Sequence, residues 1–170
     1  MHGPEELPAP FAWYLAAHPV PLCRLEKNFL NRLSERTKYF RFMQALQELT
    51  PEMIIRFTQI DYDREMAFVA VTEDENMPCE IGVGRYVMNP DGNSAEFALV
   101  VTDDCQRLGI GFRILKALIQ AAKTKGILFF EGEVLVVNKP MLSLVKKLGF
   151  TVESITHDKE VVRVVKDLRQ

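Results

Sequence analysis

The stretch that most constrains this chain runs from Glu96 to Lys125. It opens with an unbroken apolar run, Phe97 to Val101, too short for a membrane span and suited to an interior strand. Gln106, Gly109 and Gly111 then fill the spacing Q-x-x-G-x-G. An amphipathic helix follows, with Phe112, Leu115, Leu118, Ile119 and Ala122 on one side. A glycine loop at a helix start is a physical device. Without Cβ atoms, Gly109 and Gly111 let the backbone come close to a ligand, and the first helical N–H groups have no intrahelical partner. Together with the helix dipole they suit a phosphate or pyrophosphate. A tight strand-to-helix connection carries the same glycines, so the spacing alone leaves both readings open. No GK[ST] follows, which excludes a Walker loop.

A second segment tips the balance. Asn138 precedes a helix with apolar residues Met141, Leu144, Val145 and Leu148 at i, i+3, i+4, i+7 spacing; Gly149 ends it and Phe150 follows. The two segments together resemble the GNAT superfamily of acetyl-CoA-dependent N-acetyltransferases. Its signatures are [QR]-x-x-G-x-[GA] and, later, an Asn after a strand followed by a helix ending L-Y-x-x-x-G-F. Val145 stands where that family usually has Tyr. Arg41-Phe42, the run from Arg56 to Ala67, and Gly82-Val83-Gly84-Arg85-Tyr86 further resemble the acetyltransferase domain of bacterial Pat-type protein-lysine acetyltransferases. The resemblance covers about residues 29–168.

Several expectations follow from it. The fold is α/β (a mixed α+β sheet), GNAT-like, with a central, mostly antiparallel sheet flanked by helices. Acetyl-CoA is the co-substrate. Leu99, Val100 and Val101 on the strand, Gln106, Arg107, Leu108, Gly109, Ile110, Gly111 and Phe112 in the loop and helix start, and Asn138 and Met141 form the cofactor-binding set. The acceptor is an amine, with a lysine of an acyl-CoA synthetase as one candidate.

Bulk properties agree with one soluble domain. The 170 residues are 48% hydrophobic and 26% charged, long enough for a substantial core. A net charge of -2 gives no reason to expect nucleic acid or an anionic membrane as partner. No apolar run reaches transmembrane length and no basic-then-apolar leader is present, so a cytoplasmic location is expected. Three widely spaced cysteines, Cys23, Cys79 and Cys105, argue against a disulfide framework or a zinc site. Cys105 has no histidine near it in sequence and reads as a bystander beside the loop.

Residues 1–24 hold five prolines and read as an irregular leader, with one helical turn around Phe11 to Ala17. The domain proper is expected over 25–170. The family's first strand then looks missing or displaced, with Val20 to Leu25 as its remnant. Helices are expected over Leu25–Leu33, Tyr39–Gln47 and from Thr50 to about Phe57, where Thr50 is an N-cap and Pro51 sits at N1. Strands are expected over Met66–Thr72, Ile81–Met88, Phe97–Val101 and Ile127–Val136. A closing hairpin joins Phe150–Thr156 to Val161–Leu168.

Amine acetylation needs a proton acceptor, because a lysine ammonium has a pKa of about 10.4 in water. Glu96 begins the central strand and shares a face with Ala98 and Val100. It is the candidate base; a solvated charge at a strand start is the bland alternative. A backbone N–H near Val100 is the oxyanion donor that the family's parted strand implies. Glu131 and Glu133 share a face of the next strand and either relay the proton or sit at the surface. Asn138 is a pantetheine ligand, a helix N-cap, or both. With Val145 replacing Tyr, the thiolate has water as its proton source; a thiol of pKa about 8.5 leaves tolerably without more. Three readings stand: a protein-lysine acetyltransferase, an enzyme for a small amine, and a non-catalytic acyl-CoA-binding regulatory module.

Overall fold

The computed structural model describes residues 13–17, 23–43, 50, 52–53, 61–74 and 77–169. In chain order the elements are β1 (Trp13–Ala17), α1 (Cys23–Arg32), α2 (Glu35–Phe42), β2 (Glu65–Asp74), β3 (Met77–Met88), β4 (Ser94–Val101), α3 (Ile110–Lys125), β5 (Phe129–Leu135), α4 (Lys139–Lys147), β6 (Thr151–Ile155) and β7 (Asp158–Asp167). The seven strands form one sheet in the order β1-β2-β3-β4-β5-β7-β6. Every neighbouring pair is antiparallel except β4–β5. The mixed, mostly antiparallel sheet expected from the sequence is therefore what the chain forms.

Alternation along β4 divides the molecule into two layers. Ala95, Phe97, Leu99 and Val101 face the main core, where Ile110, Ile114, Leu115, Leu118 and Ala122 of α3 are almost wholly buried. Val100, on the opposite face, packs with Phe29, Leu30 and Leu33 of α1 and its end. Helices thus cover both faces. Two glycines of β3 set the spacing under α3. A Cβ at Gly84 would come within 2.4 Å of Ile114 and 2.9 Å of Leu118, so only a glycine lets the helix lie this close.

The N-terminal expectation is corrected. Residues Trp13–Ala17 form no helical turn but an edge strand, registered from Trp13↔Thr72 to Ala17↔Phe68 on β2. Five residues make barely more than one helical turn, which is not stable alone, whereas β2 offers a ready ladder. Residues 1–24 are accordingly not irregular throughout, and the first strand lies upstream of Val20–Leu25. Cys23 begins α1 two residues after Pro21, so that stretch is helical at its end. Helix α2 also starts earlier than expected. Ser34 caps it, accepting from the Thr37 N–H at 3.2 Å, and Met43 ends it at φ 54°. Residues 44–47 of the expected Tyr39–Gln47 helix lie outside the described residues. So does most of the helix expected from Thr50, although the Thr50 hydroxyl accepts from the Met53 N–H at 3.3 Å as an N-cap should. Among the described residues no helix is long and apolar enough to cross a membrane.

Candidate active site

Strands β4 and β5 pair for only three residues: Ser94↔Phe129, Ala95↔Phe130 and Glu96↔Glu131. Past Glu96 they part, while β4 stays registered on β3 out to Val101 and β5 on β7 out to Leu135. The parting leaves backbone groups of β4 without a strand partner. Which groups these are follows from the ladder. The Thr102 N–H bonds the Ile81 carbonyl on the β3 side, and the Asn93 carbonyl accepts from Leu128 and Phe129 on the β5 side. Even-numbered residues of β4 therefore turn their N–H toward β3, and odd-numbered ones toward the gap. Val100 is engaged with β3; Leu99 and Val101 present their N–H groups to the opening. These two N–H groups flank Val100, near which the oxyanion donor is expected.

The glycine loop borders the gap. Gly109 is the N-cap of α3 at φ 83°, a conformation that favours glycine, and it offers no side-chain cap. The first intrahelical bond runs from the Arg113 N–H to the Gly109 carbonyl, so the N–H groups of Ile110, Gly111 and Phe112 have no helical acceptor. A Cβ at Gly111 would point between Leu99 and Leu144, 3.5 Å from each, which is into the cleft. That cleft holds about 400 Å³. Leu99, Val100, Val101, Gln106, Arg107, Gly109, Gly111, Phe112, Asn138 and Met141 of the expected set all line it. Leu108 and Ile110 do not: Leu108 is 51% exposed and the Ile110 side chain is buried in the core. A long thiol ester with a pyrophosphate fits these walls. The apolar strand and α4 residues suit its arm, and the free helix-start N–H groups suit its phosphates.

A second cleft, of about 490 Å³, lies against the first and shares Phe40, Arg41, Leu99, Asn138 and Met141 with it. Glu96 and Glu133 line this second cleft. Burial raises the Glu96 pKa above the ordinary carboxylate value; the charges of Glu133 and Glu131 add to the shift and Arg41 opposes it. A carboxylate so placed takes a proton more readily near neutral pH than a solvated one. Glu131 is differently placed. Its Oε1 accepts from the Asn89 side-chain amide at 2.8 Å, and its Oε2 accepts from Arg163 Nε at 3.0 Å and from the Arg163 Nη2.

Asn138 caps α4, with its Oδ1 accepting from the Met141 N–H at 3.3 Å, and it also borders both clefts. The two readings of this residue are compatible. Val145 is wholly buried in the main core and carries no donor. Cys105 is buried and its thiol pKa is raised, first by burial, which suits an inert role.

Sequence reasoning missed two features. Asp103 ties α2 to the glycine loop: its carboxylate accepts from the Ser34 N–H at 2.9 Å, the Ser34 hydroxyl at 2.7 Å and the Thr37 hydroxyl at 2.7 Å. Gln106 completes the tie, donating to the Thr37 hydroxyl at 3.2 Å and to the Val101 carbonyl at 3.1 Å. Helix α2 in turn brings Phe40 and Arg41 to both clefts. These contacts join residues nearly seventy positions apart, and no local spacing announces them. The other is Arg163, whose position on β7 opposite Glu133 follows only from strand register.

Known proteins place this arrangement. The chain is 33% identical over 125 residues to Acetyltransferase PA5475 of Pseudomonas aeruginosa, covering 74% of this chain and 67% of that one. It is 32% identical over 117 residues to Acetyltransferase Pat of Mycolicibacterium smegmatis; the match takes 68% of this chain but spans only 34% of that relative. Among solved structures, the GNAT domain of S. lividans PAT superposes with a TM-score of 0.81 at 24% identity, over 92% of this chain and 90% of that one. A putative acetyltransferase of Salmonella typhimurium, yncA, solved with its cofactor acetyl-CoA, superposes with a TM-score of 0.72 at 16% identity, over 92% and 94%. The sequence profile of the acetyltransferase (GNAT) family matches residues 29–150. That match runs from within α1 to the end of α4 and takes in the parted strands and the glycine loop, so this chain belongs to the acetyltransferase (GNAT) family, with acetyl-CoA as its co-substrate.

Proposed function

We propose that the chain transfers an acetyl group directly from acetyl-CoA to the side-chain amine of a protein lysine, with Glu96 as the base. The observation that carries the reading is the position of Glu96. It is the last β4 residue paired to β5, it lines the acceptor cleft, and Leu99 three residues on borders both clefts. The lysine ammonium gives one proton to the Glu96 carboxylate. The free amine nitrogen then attacks the thioester carbonyl carbon, forming the C–N bond. Negative charge on the carbonyl oxygen is met by the Leu99 N–H, with Val101 as the neighbouring donor. The C–S bond breaks, the nitrogen loses its second proton, and the departing thiolate is protonated through water. Val145 offers no proton for that step.

Two features support a lysine as acceptor. The acceptor cleft carries two carboxylates, Glu96 and Glu133, which attract an ammonium group. Of the Pat-like segments seen in the sequence, Arg41 and Phe42 at the end of α2 and Arg85 on β3 line this same cleft. A lysine of an acyl-CoA synthetase is the first acceptor to try, and the cytoplasm is the location that such a partner implies. The test is free-thiol release from acetyl-CoA across a panel of candidate proteins, lysine peptides and small amines. Transfer to a protein or peptide lysine is the expected result. Transfer confined to small amines would overturn the acceptor class. Binding of acetyl-CoA with no transfer to any amine would overturn catalysis and leave a regulatory module.

A further inference from the structure

We propose that Arg163 on β7 is a positioning residue for proton transfer: by pinning Glu131 it keeps a second free carboxylate from standing beside Glu96. The inference rests on the reading of Glu96 as the base. On one face of the sheet the registers align Glu96 with Glu131, Glu133 with Arg163 and Arg163 with Glu153. The direct register partner of Arg163 is therefore Glu133. Its guanidinium nevertheless runs diagonally to Glu131, contacting Oε2 through both Nε and Nη2, with Nη1 3.6 Å from Glu153. Asn89 takes the other oxygen of Glu131 from the opposite side. Both oxygens of Glu131 are thus held, and its side chain is only 15% exposed. Glu133 makes no ion pair or hydrogen bond among the described residues, and it lines the acceptor cleft beside Glu96.

The arrangement separates three neighbouring carboxylates by task. Like charges this close disfavour one another's ionised forms. An unpaired Glu131, across one ladder step from Glu96, would hold Glu96 protonated into the pH range where a base must be free. The Arg163 charge offsets that of Glu131 in part: Glu131 still raises the Glu96 pKa, but less than the unpaired Glu133 does. The remaining charged groups facing Glu96 among the described residues are Arg41 from α2 and Arg85 from β3, the latter ion-paired to Glu65 at 2.8 Å. Neither touches Glu131 in this way, so the charge balance at Glu131 falls to Arg163.

A charge-balanced cycle tests this. The side-chain carboxyl carbon of Glu96 is titrated by NMR in the full chain without ligand, and Glu96→Gln identifies its signal. Arg163→Met should raise the Glu96 midpoint by about 0.5–1 pH unit, because an uncompensated anion then faces it. Glu131→Gln should lower it by a similar amount, because Arg163 is then uncompensated. The double variant should return to within about 0.2 unit of the wild type, and Arg163→Lys should restore most of the shift. Should Arg163→Met fail to fold, the Glu131→Gln and double-variant arms still decide the question. Midpoints that stay put, or two single variants that move it the same way, overturn the inference. The outcome is distinct from failure of the base itself: full transfer activity in Glu96→Gln would remove the base while leaving this titration as it is.

Discussion

At the scale of single residues, Glu96, the base we propose, carries a cost in stability. Its pKa is raised by folding, so the folded state binds its proton more tightly than the unfolded chain does. The sign then follows: the penalty is absent below the unfolded carboxylate value near 4.3 and grows as pH rises through the folded value. Glu96→Gln removes that penalty. At pH 7 its melting temperature should equal or exceed that of the wild type, with the difference closing near pH 4. Transfer should meanwhile slow by about 10²–10⁴-fold, with acetyl-CoA affinity preserved. A melting temperature well below the wild type would show that the carboxylate is needed for packing. Asp103 has the opposite sign. Burial pushes its pKa up, but hydrogen bonds from the Ser34 N–H, the Ser34 hydroxyl and the Thr37 hydroxyl outweigh it and hold the value below the ordinary one. Its contribution is present above about pH 4 and lost as pH falls through the lowered value. Asp103→Ala should cost about 1 kcal/mol at neutral pH in chemical denaturation, and the gap should narrow toward pH 3. It should also weaken acetyl-CoA binding, because the loop loses its tie to α2. Glu96 was legible because a strand start and alternation place it; Asp103 was not, because its partners are distant in sequence.

At the scale of elements, the close seating of α3 on the sheet depends on what β3 lacks. Gly84 lies under Ile114 and Leu118, and both are almost wholly buried. Gly84→Ala forces the helix outward or the side chains off their rotamers, at about 1–3 kcal/mol. A lower denaturation midpoint with unchanged slope is the expected result. Full stability in this variant would mean that α3 can shift freely. Elements with a clear local apolar pattern were readable in advance: the amphipathic α3 and α4, the unbroken apolar run of β4 and the β6–β7 pair fall within a few residues of expectation. Those that rely on a neighbour were not. Strand β1 owes its form to the β2 ladder, and α2 begins at a serine cap whose hydroxyl answers to Asp103 as well as to Thr37.

At the scale of the whole molecule, the sheet reads as two halves, β1 to β4 and β5 to β7, joined by three residue pairs. The glycine spacing announced the nucleotide end of the site, and the family resemblance supplied the rest. Where the strands part is a matter of register, which no local pattern in β4 or β5 encodes. The acceptor cleft is harder still to read from sequence, since its walls come from α2, β3, β4 and β5 together. A ligand that bridges the halves should therefore stabilise the molecule as one unit. Acetyl-CoA at a hundred times its dissociation constant should add about 2.7 kcal/mol to unfolding, seen as a single raised transition. Two separate transitions would mean that the halves melt independently.

The parted strands have one more consequence. Where they diverge, the interior contains two exposed sheet edges, a condition that proteins elsewhere hide or block. The arm of acetyl-CoA carries amide groups spaced along an extended chain, and such a chain is what an open edge recruits. We propose that the arm of the co-substrate pairs with this edge as one more short strand supplied from solution, in the manner of β-augmentation. The backbone amides of Leu99 and Val101 should exchange with deuterium quickly in the free protein and slowly once acetyl-CoA is bound. Those of Ala98 and Val100, already paired to β3, should be slow in both.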